Sequence, residues 1–399
     1  LKERLGLFDD PYRRGTAREP LSAISHRRQL ARDIATRCIV MLKNDDDALP
    51  LSSAVRRLTV LGPLADASAE MRGVWWGAAA PEGHVTVLAG LRAALPDVEI
   101  LHSAGVAIDS PDFSGLAAGL DQCAGTDAII LCLGEAAVMS GEASSRAYLG
   151  LPGIQRRLAE AIFEQARRER IPVIVILFSG RSLVVPWLVE KASAVLAAWF
   201  PGSEAGNAIA DLITGRASPS GRTPVTWPRA AGQVPIFFSE RPSGRPFNSN
   251  DRFTSKYLDV ANEPLFPFGF GLSYGRFEFS NLRLSTGTIG INDAVNIQVD
   301  VINRGAREAQ ETVFLFTHDK VASVSRPKLE LKGFGKISLL PGRIGTVTFS
   351  LHASELRFLG LELEPVFEPG EVEILVGPCA DRAQLLSASI QLVWSCPCD

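Results

Sequence analysis

The sequence predicts two unlike halves: a flavodoxin-like, three-layer α/β sandwich followed by an all-β sandwich of the fibronectin type III or immunoglobulin kind. Three observations predict this. Up to about residue 230, short apolar runs without polar alternation are separated by segments of helical period, the pattern of parallel strands covered on both faces. From about residue 277 the period becomes two, as in strands buried on one face only. Between them, residues 229–265 are rich in Pro, Gly, Ser, Asn and Arg, a long connector that is either functional or draped over a neighbour.

The elements follow in order. Leu30, Ile34, Cys38 and Met41 recur at helical spacing and predict a helix over residues 29–43. Residues 58–61 form a first strand that runs into Gly62-Pro63. A helix over 87–94 leads to a second strand at 98–101, and a third spans 128–133. After Pro152 a helix places Ile154, Leu158 and Ile162 on one face and Arg156, Arg157 and Arg168 outside it. Residues 172–178 form a fourth strand that stops at Ser179-Gly180. Residues 194–200 form a fifth, and a helix over 203–213 has Ser203 as its expected N-cap. In the second half, Val295, Ile297, Val299 and Val301 alternate with polar residues, as do Val347, Phe349 and Leu351. A further strand over 371–376 follows the Pro369-Gly370 turn. The domain limits expected are 1–24 as an exit segment from a preceding domain, 25–230 as the α/β sandwich, 231–276 as linker and 277–395 as the β-sandwich.

Composition sets the limits on function. The 399 residues suffice for two or three domains, and 46% hydrophobic with 21% charged residues is ordinary for a globular chain. Net charge is −3 with scattered Lys and Arg, which argues against nucleic acid as a partner, and no run is long enough to span a membrane. The chain opens at Leu1 without Met or a signal-peptide pattern, as a processed or partial chain would. Six dispersed cysteines predict no disulfide framework, and Cys132 reads as a small core hydrophobe. The terminal Cys-Pro-Cys lacks the second pair a metal site needs, and the five histidines are scattered. Ser179 lacks a nucleophile elbow and a His partner, and Pro201-Gly202 lacks the spacing of a phosphate loop. No internal repeat is present.

The most informative stretch is residues 134–155, G-E-A-A-V-M-S-G-E-A-S-S-R-A-Y-L-G-L-P-G-I-Q. It follows a core strand, so Glu135 and Glu142 fall on a loop at the carboxyl edge of an α/β sheet, where ligands bind. A carboxylic acid held near apolar surface there becomes a competent proton donor, and two solvated loop charges are the plain alternative. The segment S-G-E-A-S-S-R followed by L-P-G-x-Q resembles the second domain of glycoside hydrolase family 3, in particular its periplasmic β-glucosidase subgroup. The resemblance continues through P-G-S-E-A-G-N-A-I-A-D at 201–211, P-S-G-R-T-P-V-T-W-P at 219–228 and F-P-F-G-F-G-L-S-Y at 266–274. These motifs cover nearly the whole chain in the family's order.

The resemblance implies a retaining β-glucosidase that acts on terminal β-D-glucosyl residues by double displacement, with no metal or organic cofactor and with periplasmic or secreted location. It implies Glu142 as general acid/base, with Glu135 a rival, and a catalytic Asp nucleophile on a preceding (β/α)8 barrel. Residues 1–12 resemble the exit of that barrel, and neither Asp9 nor Asp10 matches the nucleophile motif. The barrel would be supplied in cis or in trans, and the chain alone is expected to be inactive. The partners implied are that barrel and an oligosaccharide or β-glucoside. Arg146 and Glu135 are candidate sugar ligands, with a loop-anchoring ion pair an equal reading for Arg146. Trp75, in M-R-G-V-W-W-G-A, matches a G-x-W element and becomes a platform for the leaving-group sugar. Trp76 stands where a small residue is usual, and a Trp pair sealing a domain seam is the alternative. The competing function is a non-catalytic carbohydrate-binding or scaffold remnant of such an enzyme.

Overall fold

In the computed structural model, which describes residues 1–12, 21–76 and 83–394, the first half is built on a six-stranded mixed sheet. Its elements are α1 (Leu21–Cys38), β1 (Val40–Asn44), β2 (Arg57–Leu61), α2 (Val87–Ala94), β3 (Glu99–Ser103), α3 (Leu116–Asp121), β4 (Ala128–Gly134), α4 (Gln155–Glu169), β5 (Val173–Phe178), α5 (Pro186–Lys191), β6 (Ala194–Ala197) and α6 (Ala205–Thr214). The strand order is β1-β6-β5-β4-β2-β3, with β2 to β6 mutually parallel and β1 antiparallel at the edge. Every residue of β4 and β5 is buried, as strands covered on two faces require. One face packs against α1, α2 and α6 around Leu58, Val60, Ile130 and Ile176. The other packs against α3, α4 and α5 around Ile129, Leu131, Val175 and Leu177.

Two expectations need correction. The helix expected over 29–43 ends at Cys38, and residues 40–44 enter the sheet as β1. The four consecutive apolar residues from Ile39 to Leu42 bury on alternate faces, Met41 on one and Val40 and Leu42 on the other, which a helix cannot do. Leu30 and Ile34, within the helix, are half-exposed. Ser203 is not the N-cap of α6: Glu204 occupies that position, without a side-chain capping bond.

The second half holds β7 (Phe277–Leu284), β8 (Thr288–Ile289), β9 (Ala294–Asn303), β10 (Ala309–Asp319), β11 (Glu330–Leu339), β12 (Ile344–His352), β13 (Phe358–Leu359), β14 (Pro365–Val366), β15 (Gly370–Gly377) and β16 (Leu386–Leu392). A five-stranded sheet β11-β10-β15-β16-β8 faces a three-stranded sheet β12-β9-β7. Val295, Ile297, Val299 and Val301 all point into the core between them, as the alternation requires. All pairings of these two sheets are antiparallel except the short contact of β8 with β16.

Contacts from the 219–228 and 266–274 motifs explain the join. Trp227 bridges to Phe266, and its indole N–H donates to the Leu183 carbonyl at 2.6 Å. Leu272 pairs with Met41 and covers the free edge of β1, and the Tyr274 hydroxyl donates to the Leu212 carbonyl. Phe238 stacks on Phe268 with ring centroids 4.5 Å apart. The connector is therefore draped over both sheets at its two ends, while residues 241–250 lie exposed. The terminal Cys-Pro-Cys and part of the expected exit segment, residues 13–20, lie outside the described residues.

Candidate active site

The winding of the sheet reverses between β2 and β4. The chain leaves β2 through α2 on one face, and leaves β4 through α4 on the other. A crevice opens outside the carboxyl ends of adjacent strands wound this way, and open α/β sheets bind ligands there. The loop after β2 carries Trp75 and Trp76; the loop after β4 carries Glu135, Glu142 and Arg146.

The backbone at the end of β4 is fixed by Gly134. Its φ of +142° suits glycine, and a β-carbon there would lie 1.9 Å from the Phe178 carbonyl oxygen. Gln155, at the start of α4, closes the same point: its Oε1 accepts from the Gly134 N–H and its Nε2 donates to the Gly134 and Ile108 carbonyls. Its side chain is wholly buried, so the glutamine of L-P-G-x-Q holds the strand end.

Glu135 points inward and is fully buried. Its carboxylate accepts from Arg146, from Arg181 Nε at 3.1 Å, from Ser179 Oγ at 2.9 Å and from Ser140 Oγ at 3.2 Å. Arg181 also donates to the carbonyls of Met139 and Ser144. One guanidinium thus grips the loop on both sides of Glu142 while its own charge is met by Glu135. In this arrangement the carboxylate of Glu135 is occupied by protein donors, and Arg146 is turned to it as a loop-anchoring pair.

Glu142 is exposed, and among the described residues its carboxylate makes no hydrogen bond or ion pair. It sits on a tight turn: Gly141 has φ +99°, Ala143 φ +58°, and the Ser144 N–H returns to the Gly141 carbonyl. The two loops touch at this turn. A β-carbon on Gly141 would come within 2.6 Å of Val74 Cγ1 and 3.3 Å of Trp75 Nε1. Glu70, just before the tryptophans, accepts from the Ala137 N–H and ties the loops again. Trp75 is 74% exposed beside Gly141, and Arg72 stacks on the ring of Trp76 at 3.5 Å. Val138 and Tyr148 are exposed on the same loop.

The site therefore brings Trp75 and the Glu142 turn together, and turns Glu135 and Arg146 toward one another. The sequence reading did not single out Gln155, Arg181 or Ser140 as site residues. F-S-G-R was noticed only for its serine, because a contact between residues 46 apart leaves no local pattern.

Comparison with known proteins agrees with this architecture. Residues 39–274 match the model of the glycosyl hydrolase family 3 C-terminal domain, and residues 311–380 that of the fibronectin type III-like domain. The chain is 35% identical to a periplasmic beta-glucosidase of Salmonella typhimurium, over 98% of this chain and 54% of the relative. It is 34% identical to a beta-xylosidase of Formosa agariphila, over 98% and 53%. A beta-glucosidase from Listeria innocua, solved in complex with laminaribiose, superposes with a TM-score of 0.90 at 32% identity, over 98% of this chain and 53% of that one. The chain thus spans about half the length of the relatives it matches. Two matched domains in order, a shared fold and this identity over nearly its full length place the chain in glycosyl hydrolase family 3.

Proposed function

We propose that this chain is the acid/base half of a retaining β-glucosidase, with Glu142 as proton donor and acceptor and the nucleophilic carboxylate carried by a (β/α)8 barrel. The observation that carries this reading is the contrast between the two glutamates. Glu135 is locked by two arginines and two serines, whereas Glu142 stands free at the switch-point crevice on a turn gripped by Arg181. A group that shuttles a proton must reach substrate and must not be neutralised by a fixed cation.

In the double displacement, Glu142 first gives its proton to the glycosidic oxygen as the nucleophile attacks the anomeric carbon. It then takes a proton from the water that releases the sugar. Retaining chemistry needs its two carboxyl groups about 5 Å apart, so a barrel must dock over this crevice. The exposed Trp75, Val138 and Tyr148 around Glu142 give such a surface its apolar contact. Closure would desolvate Glu142 and favour its protonated form until the leaving group departs. Trp75 would lie against the apolar face of the leaving-group sugar. The periplasmic beta-glucosidase of Salmonella typhimurium among the relatives supports a periplasmic setting and a β-glucoside substrate.

The test is hydrolysis of an aryl β-glucoside by the chain alone and after addition of a separately prepared family 3 barrel half. No turnover alone and turnover on mixing are expected. Turnover by the chain alone at the rate of a complete enzyme would overturn the assignment of the nucleophile to a separate segment. Glucoside binding by the chain alone, unchanged by the barrel and without turnover on mixing, would favour a carbohydrate-binding remnant.

A further inference from the structure

A second cavity, of about 480 Å³, opens at the seam between the α/β sheet and the β-sandwich, on residues other than those of the switch-point crevice. Its size falls in the range of sites for small organic ligands. Four aromatic side chains wall it: Trp199 after β6, Phe268 of the connector, Phe314 of β10 and Phe334 of β11. Phe314 is buried, with its ring 5.7 Å from Phe268 and 6.3 Å from Phe334. Phe334 is 65% exposed, a large apolar face left to solvent at the mouth.

Three cations rim these rings: Arg37 in the last turn of α1, Arg222 and Lys336. Glu311 pairs with Arg222, both almost wholly buried. Arg37 makes no hydrogen bond or ion pair among the described residues, and Lys336 donates only to the Ser220 carbonyl and the Thr312 hydroxyl. One ammonium proton of Lys336 is therefore unspent. Burial, followed by the charge of Arg222, pulls this ammonium below its usual range, against the opposing charge of Glu311. The polar groups that could serve sugar hydroxyls are engaged internally: Thr223 donates to Pro267, and Thr312 accepts from Lys336.

We propose that this seam cavity binds an aromatic monocarboxylate, its ring against the exposed face of Phe334 and its carboxylate on Lys336 and Arg37. Aromatic walls fix the ring, and two cations at the mouth, neither of them in an ion pair among the described residues, select an acid over a neutral ring. Because its walls come from both halves of the chain, the ligand bridges the seam and stabilises their docking by mass action.

The test uses anilinonaphthalenesulfonate, an aromatic anion that fluoresces in apolar sites, as probe of the purified chain, with phenylpropionate and phenylpropanol as competitors. Saturable single-site binding is expected, with phenylpropionate displacing the probe about tenfold better than the neutral alcohol, the factor expected for a hydrogen bond to a charged group. Phe334→Ala, at an exposed position that leaves the fold intact, should weaken binding about tenfold, as should Lys336→Gln. Absence of saturable binding, equal displacement by acid and alcohol, or unchanged affinity in both variants would overturn the proposal. Sugars that displace the probe as well as phenylpropionate would also overturn it, in favour of a carbohydrate subsite.

Discussion

Replacing Glu135 by alanine removes the carboxylate on which the whole 135–146 loop converges. Arg146 loses its ion-pair partner, Arg181 loses one of three acceptors, and Ser140 and Ser179 each lose one. Removing one member of a buried ion pair typically costs about 3–5 kcal/mol, because the partner charge is stranded. Here both arginines keep about a fifth of their side-chain surface in solvent, and Arg181 keeps two carbonyl acceptors. The cost should therefore fall at the lower end, about 3 kcal/mol. Glu135→Gln preserves the shape and one of the two acceptor oxygens and should cost less. The assay is urea unfolding of the α/β transition, compared by midpoint since two domains need not unfold as one step. Hydrogen exchange at the amides of residues 136–146 supplies the local readout. Faster exchange confined to that loop is expected alongside the lost stability. A Glu135→Ala variant within about 1 kcal/mol of the parent, with unchanged exchange, would refute the view that this carboxylate holds the loop.

Further consequences can be measured independently. Gly134→Ala should cost about 3 kcal/mol or more in the same unfolding assay, since its β-carbon would meet the Phe178 carbonyl. Glu142→Ala and Trp75→Ala, both at exposed positions, should leave stability within about 0.5 kcal/mol; a larger loss would show that these side chains are structural. Of the four described cysteines, Cys38 is exposed while Cys123, Cys132 and Cys379 are buried with thiols pushed upward. Thiol labelling of the native chain should therefore modify Cys38 and spare those three until unfolding. In the β-sandwich, hydrogen bonds from Arg283, then Thr346 and Asn281, hold the Asp300 carboxyl below its ordinary range. Its folded pKa is below its unfolded one, so its contribution is present above the usual carboxylate value of about 4 and is lost as pH falls below it. Asp300→Asn should destabilise at neutral pH, and the difference should shrink on acidification.

The layers were legible because β4 and β5 announce themselves as unbroken apolar runs, and β9 as a strict alternation. The first strand was not. Met41 continues the helical spacing of Leu30, Ile34 and Cys38 by coincidence, and only the run from Ile39 to Leu42 signals a strand buried on two faces. The α5 helix is six residues long, and Pro186 at its first turn was its main local mark. At the site, the loop, both glutamates and the preference for Glu142 could be read from position and motif, but the burial of Glu135 among two arginines could not. Glu135 is an anchor only because Arg181, after a different strand, reaches it. No pattern within the loop encodes that contact.

The central claim is that Glu142 transfers the proton, and its most direct test is leaving-group dependence. In a polypeptide that joins this chain to a family 3 barrel half, kcat/KM is measured for β-glucosides of graded aglycone acidity, with and without Glu142→Ala. The account predicts a loss of about 10²–10⁴-fold for poor leaving groups, the usual worth of a general acid, shrinking toward parity for aglycones that depart unaided. An equal loss across the series would contradict it.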